Sequence, residues 1–272
     1  MSKKIIYKQD DEIELIRKSC LLVCDTLTHV AGLIKPGISD LVLDTAAEEF
    51  IRDHKAVPGF KGYGGFSGTL CISINAEVVH GIPSGRTLRD GDIVSIDCGT
   101  YMNEFYGDAA YTFAIGEVDE KILDLLRVTK TSLYKGIEQA IHGNRIGDIG
   151  HAVQDYTERQ HGYGVVRDLV GHGIGRNLHE DPQVPNFGRR GRGTLMKEGL
   201  VIAIEPMINL GTKEVRALQD GWTIQTRDKQ ASAHYEHTVA VRKGAADILS
   251  NHGQIEEAIK NNEYLQEISI KN

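Results

Sequence analysis

The sequence predicts an α+β fold made of two similar halves, and three observations carry that prediction. Helix, helix, strands is the order of elements twice along the chain. Residues 91–97, GDIVSID, and 199–205, GLVIAIE, each run from a glycine through a short apolar stretch to one carboxylate. The shift of 108 residues that maps Asp97 onto Glu205 and Gly91 onto Gly199 also maps Ile38 onto Ile146 and Asp40 onto Asp148. Two copies of such a unit bury their apolar faces against each other, which brings equivalent strand ends together near a pseudo-twofold axis. Both opening carboxylates would lie there.

From Asp10 to Ala31, Ile13, Ile16, Cys20, Val23, Cys24, Leu27 and Ala31 recur at helical spacing, with acids in the first turn where the helix dipole favours them. A second helix is expected from Asp40 to His54. The glycine-rich stretch VPGFKGYGGFSGTLCISIN then runs into a strand, and further strands are expected around Ile93 to Tyr101 and Phe105 to Ile115. Helices return at 120–142 and 147–161, and strands resume after Gly164. Asp220-Gly221 marks a turn joining VRAL to WTIQT. These elements make one domain over residues 1–250, with halves at roughly 10–115 and 120–245. In the tail, residues 251–272, Ile255, Ile259, Leu265 and Ile268 have partly helical spacing. That pattern suits either a short packed helix or a segment that docks a partner.

With 272 residues and 40% hydrophobic content the chain can bury a sizeable core. A net charge of −7 and the lack of an extended Lys/Arg run speak against nucleic acid or an anionic membrane as partner. The opening MSKKIIYKQDDEIEL has no apolar core of a signal peptide, and no later stretch approaches the ~18 apolar residues of a membrane span, so a cytoplasmic location is expected. Cys20, Cys24, Cys71 and Cys98 sit in apolar segments without a CxxC pair, which predicts free buried thiols.

The carboxylates invite a metal. A hairpin turning at Met102-Asn103 would set Asp97 directly opposite Asp108, and two like charges facing across a buried hairpin need a cation between them. Glu205 is followed by Pro206, which ends a ladder, and Glu236 lies in the strand-like SAHYEHTVAV. Four carboxylates carry a charge that two divalent cations cancel. His172, in GHGIGRNLHEDP, can complete the set with an imidazole. Such an oxygen-rich set suits manganese, iron(II) or cobalt better than a structural zinc site. Taken alone, each residue has an ordinary reading as a turn or core residue, and only their convergence would make a site. The glycine-rich GFKGYGGFSG and GHGIG complete neither phosphate-binding pattern, GxxxxGK[ST] or GxGxxG.

Taken in order, ISINAEVVHGIP, SIDCGTYMNEFYGDAA, GHGIGRNLHEDPQVPN, VIAIEPM and ASAHYEHTVAV resemble the type I methionine aminopeptidases of the bacterial kind, over roughly Asp10 to Leu249. The resemblance implies the pita-bread fold, a curved antiparallel sheet covered by helices with a dinuclear metal site at its centre. It implies removal of the initiator methionine from nascent polypeptides with a small second residue. Separately, a monomer is expected, with transient ribosome contact through the folded surface left open. The family's five metal ligands fall on Asp97, Asp108, His172, Glu205 and Glu236, with Asp108 and Glu236 bridging. Its substrate-contacting histidines fall on His80 and His179, which with Glu205 form the implied catalytic set. Its methionine pocket falls on Tyr63, Phe66, Cys71 and Trp222. Two positions depart from the pattern: Gly64 stands where a histidine is expected and Leu178 where an aromatic residue is. A proline-specific peptidase or creatinase-like hydrolase of the same fold is the nearest alternative, and a non-enzymatic binding protein on that fold is the more distant one.

Overall fold

The structure, a computed structural model, describes residues 5–270. The outermost residues of the expected domain and tail, 1–4 and 271–272, lie outside the described residues. Helix α1 spans Asp10–Leu33, and its first turn is tied by Glu12, which accepts the backbone N–H of Gln9 at 3.1 Å. Every member of its apolar stripe is buried. It packs on two long strands, Ile93–Met102 and Phe105–Ile115. The approach is close enough to require glycine at 107, because a Cβ there would stand 2.3 Å from the backbone nitrogen of Cys20.

Helix α2 spans Asp40–Asp53, capped by Ser39, which accepts from the Leu41 N–H. Helix α3, Glu120–Ile137, is shorter than the expected 120–142. Its C-cap is Glu138, and the chain then turns off to a left-handed Gly143. The helix expected over 147–161 is two pieces: α4 at Ile146–Gln154 and a wider π-type turn at Asp155–Gln160. Past residue 250, α5 at Gly253–Lys260 lies on α1, and Leu265–Gln266 adds a strand to Phe105–Ile115. Asn262 secures this segment by donating to the carbonyls of Ala31 and Ile34, both at 2.8 Å. No helix among the described residues is long and apolar enough to cross a membrane.

The sheets show how the two halves correspond. One five-stranded sheet is built around Ile93–Met102 and Phe105–Ile115, the other around Val201–Ile204 and His237–Ala240. Gly37 N–H donates to Leu88 and Asp40 N–H to Arg86; in the second half Gly143 donates to Met196 and Ile146 to Thr194. The helix starts are therefore related by 106 residues and the strands by 108. Two extra residues in the second half separate them, so the uniform shift of 108 expected from sequence holds for the strands alone.

The first hairpin has a different register from the expected one. Met102 pairs with Phe105, Gly99 with Asp108 and Asp97 with Ala110. The turn residues are Asn103 and Glu104, both left-handed at φ 53° and 67°, the conformation a two-residue hairpin loop demands. Asp97 and Asp108 are thus diagonal neighbours on one face and not direct partners. The direct pair lies in the second half. Ile204 pairs with His237 and Met207 with His234, one register continuing across the break at Glu205-Pro206. Glu205 and Glu236 face each other across that break. The expected turn at Asp220-Gly221 joins Val215–Ala217 to Ile224–Thr226, with Asp220 accepting the N–H groups of Trp222 and Thr223, each at 2.9 Å.

Candidate metal centre and substrate cavity

A cavity of about 140 Å³ lies where the two halves meet, and it is lined by Asp97, Asp108, His172, Glu205, Glu236, His80, His179, Tyr63, Phe66, Cys71 and Trp222. Every candidate ligand, catalytic and pocket residue expected from sequence is there. Phe60 and Leu178 complete the lining. Phe60 escaped sequence reasoning because one phenylalanine in a glycine-rich loop carries no signal of direction. A larger open groove of about 1160 Å³ runs along Ile146, Asp181, Pro185 and Arg189 elsewhere on the surface. It gathers no cluster of carboxylates and imidazoles, so the smaller cavity is the chemical one.

Local structure explains each placement. Cys71 is the cross-strand partner of Asp97 and so shares its face. His80 ends the strand Glu77–Val79 in a left-handed conformation, φ 59°, uncommon for a residue with a side chain and typical of functional positions. Gly81 beside it cannot be replaced without movement, since a Cβ would stand 2.1 Å from the carbonyl oxygen of Ile72. His179 stands at the exposed rim, 2.8 Å from the Tyr63 hydroxyl. Phe66 and Trp222 meet edge to face at 5.2 Å, a favourable geometry for aromatic rings.

The floor of the cavity is a dense acidic cluster. Burial pushes Asp97 up to about 7, and burial with the charge of neighbouring carboxylates holds Asp108, Glu205 and Glu236 well above the ordinary range. His172 lies 3.6 Å from Glu205 and 3.8 Å from Asp108, yet burial lowers its pKa to about 3, so these are contacts of a neutral imidazole. Its Nδ1 lies 2.9 Å from the carbonyl of Gly173, which places the proton there and leaves the Nε2 lone pair facing the carboxylates. That is the tautomer a metal ligand needs.

Asp97 Oδ1, Asp108 Oδ1 and Glu236 Oε1 are buried without a hydrogen-bond partner. One donor atom from each of Asp108, His172 and Glu236 lies within 4.8 Å of the others. Orphaned carboxylate oxygens with one imidazole are the donor set that hard or borderline divalent cations take. The residues present fit such cations.

The model of metallopeptidase family M24 matches residues 14–243. The chain belongs to metallopeptidase family M24. Within M24 it is 51% identical over 247 residues to a methionine aminopeptidase of Clostridium acetobutylicum, covering 90% of this chain and 98% of that one. It superimposes on the crystal structure of methionine aminopeptidase from Rickettsia prowazekii with a TM-score of 0.89 at 39% identity, covering 91% of this chain and all of that one. The prolidase of Pyrococcus horikoshii OT3 is 21% identical with a TM-score of 0.72 and matches over 63% of its own chain, a likeness of fold alone. The fold is the pita-bread arrangement of M24.

Proposed function

We propose that this M24 chain hydrolyses the N-terminal methionine of nascent polypeptides whose second residue is small, using two divalent cations held by Asp97, Asp108, His172, Glu205 and Glu236. Manganese, iron(II) and cobalt are the cations the donors suit. The observation that carries this reading is the convergence of all five donors, two further histidines and an apolar pocket on one cavity of about 140 Å³. When bound, the cations supply positive charge at the scissile carbonyl and make water more acidic.

The protein's own groups do the rest. Asp108 and Glu236, each with a buried oxygen lacking a hydrogen-bond partner and with donor atoms within 4.8 Å of each other, would be the ligands placed to be shared between the cations. Glu205, beside His172, accepts the proton of the attacking water and passes it to the leaving amine. His179, held by Tyr63, donates to the carbonyl oxygen as it gains charge, and His80 orients the scissile amide from the pocket side. Tyr63, Phe66, Cys71 and Trp222 form an apolar, polarisable pocket for a flexible thioether. The thiol of Cys71 is kept protonated by burial and the nearby Asp97 charge, so it packs and does not react.

In this reading residues 1–250 form one catalytic domain and the tail packs on it. The enzyme works in the cytoplasm as a monomer that meets its substrates near the ribosome. The test is release of free methionine from Met-Ala-Ser by metal-stripped protein resupplied with each cation, set against proline release from Pro-led and X-Pro peptides. Preferential cleavage of the proline peptides would overturn the assignment.

A further inference from the structure

One buried histidine beside the cluster has no role in the mechanism above. His234 is 1% exposed, and its Nε2 has no hydrogen-bond partner. That nitrogen lies 3.7 Å from Glu205 Oε2, while the other oxygen of the same carboxylate, Oε1, lies 3.6 Å from His172 Nε2. Glu205 is thus spanned by two imidazoles, one on each oxygen. The backbone of His234 is clamped in both directions by the Thr112 hydroxyl, which accepts from its N–H at 3.0 Å and donates to its carbonyl at 2.6 Å. The side chain is therefore presented from a fixed point.

The internal duplication gives this position a second significance. Gly99 pairs with Asp108 in the first half, and the strand shift of 108 residues carries Gly99 to Met207, which pairs with His234. His234 is the counterpart of Asp108. By the same relation Glu236 is the counterpart of Ala110, the partner of Asp97. The second half places at this strand position an imidazole where the first half places a carboxylate of the cluster. The other buried histidines of the region are engaged differently: His237 bonds Ser250 at 2.6 Å and stacks on His252, away from the cavity.

We propose that His234 is a positioning residue for Glu205, donating from Nε2 to Oε2 so that Oε1 stays turned towards His172 and the cluster. The observed separation exceeds a hydrogen bond, ~2.9 Å for N–H···O, by less than an ångström, a gap that rotation of the carboxylate closes. An imidazole N–H at Nε2 supplies one donor to that oxygen. Outer partners of this kind orient a ligating carboxylate, and their loss typically lowers metal affinity or activity by about 10–100-fold.

This inference rests on the five-ligand reading, so its test includes a variant for each. His234→Gln and His234→Met carry linear side chains of similar length, and only the first can donate. Manganese binding to the full-length protein is measured by calorimetry, alongside kcat and KM for Met-Ala-Ser and the melting temperature of the metal-free forms. H234M should bind manganese about 10–100-fold more weakly, with a lower kcat and unchanged KM, while H234Q restores both and the metal-free melting temperatures agree. His234→Leu serves as the non-donating arm if H234M does not fold. Equal behaviour of the donating and non-donating variants would overturn the inference, as would wild-type affinity in H234M. Asp108→Asn separates the readings. If it loses manganese while H234M keeps it, only the His234 role falls; if it keeps manganese, the five-ligand reading fails and the His234 role with it.

Discussion

Stripping the metal and raising the pH should destabilise the protein, and the acidic cluster sets both the window and the size. In an unfolded chain Asp and Glu ionise near pH 4. In the metal-free fold Asp97 ionises at about 7, and Asp108, Glu205 and Glu236 well above their ordinary values, because burial penalises their charged forms. A folded-state pKa raised above the unfolded value gives stability that is present at low pH and lost as pH rises through the folded value. Each proton retained by the fold and absent from the unfolded chain contributes about 1.4 kcal/mol of loss per pH unit.

The histidines decide where to look. His172, His234 and His237 are lowered to about 3, and His252 well below its usual value, so below pH ~6.5 they make stability rise with pH and mask the carboxylates. Above pH ~8.5 the unfolded thiols ionise while the buried Cys20, Cys24, Cys71 and Cys98 do not, which adds a further loss. Between pH 7 and about 8 the residual gain from the histidines and the early loss from the thiols are about equal and opposite, which leaves the carboxyls. One retained proton there is worth about 1.4 kcal/mol, or about 3–6 °C of melting temperature for a chain of this size. Thermal melts of chelator-treated protein across that window should show the fall, and melts with saturating manganese should not, because ligating carboxylates stay ionised throughout. Glu236→Gln should flatten the metal-free slope. A metal-free slope of zero, or one shared by metal-loaded protein, would refute the account of the cluster.

Asp108→Asn should lower Met-Ala-Ser hydrolysis by orders of magnitude with the circular dichroism spectrum unchanged, since it removes a bridging ligand; near-normal turnover with the same metal requirement counts against the site. His179→Ala should lower kcat by about 3–4 kcal/mol of transition-state stabilisation with metal content retained, whereas His172→Ala should lose metal itself, and equal metal loss in the two would reverse their roles. Tyr63→Phe should lower kcat more than it raises KM if its hydroxyl orients His179, and a change in KM alone would make it a pocket residue only. On a Met-X-Ser series with X from Gly to Leu, Ala and Ser should be cleaved far faster than Leu, with Val and Thr admitted by the small, buried Leu178; a flat profile would sink the specificity claim.

Much of the fold was legible because its signals are local. The α1 stripe, the apolar strands ending in Asp97 and Glu205, and the glycines before them each follow from side-chain period and turn chemistry within about a dozen residues. The proposed ligands were legible for a different reason: Asp97 and Glu205 close apolar runs, and with Asp108 and Glu236 in neighbouring strand-like segments they make sense together only if something neutralises them. What sequence misplaced were quantities set by turns. Met102-Asn103 and Asn103-Glu104 are equally weak as turn pairs on paper, and moving the hairpin centre by one residue moves the pairing by two. Tertiary context holds Glu104 left-handed, against its own preference. The facing of Glu205 and Glu236 could not be read at all, because another hairpin, Val215–Thr226, intervenes between them. His234 did leave a trace, in the alternation of HYEH, where residues 234 and 236 fall on one side of a strand.

The duplication explains why the centre is asymmetric. Equivalent strand ends contribute Asp97 and Glu205, one methylene apart in length, at matched positions. The partner strands then diverge: the first half supplies Asp108 at one step and Ala110 at the next, the second supplies His234 and Glu236. Two copies of the first half would have placed four carboxylates and no imidazole, two copies of the second four carboxylates and two imidazoles, and either arrangement would have been the same on both sides. Substituting histidine for aspartate at one step and glutamate for alanine at the other keeps the total at four carboxylates while shifting their weight. His172, from outside both hairpins, adds its lone pair on the side of Asp108 and Glu205. Any cations held in this cluster would therefore have unlike neighbours on its two sides, and the asymmetry of the cavity follows from residues the duplication left unequal.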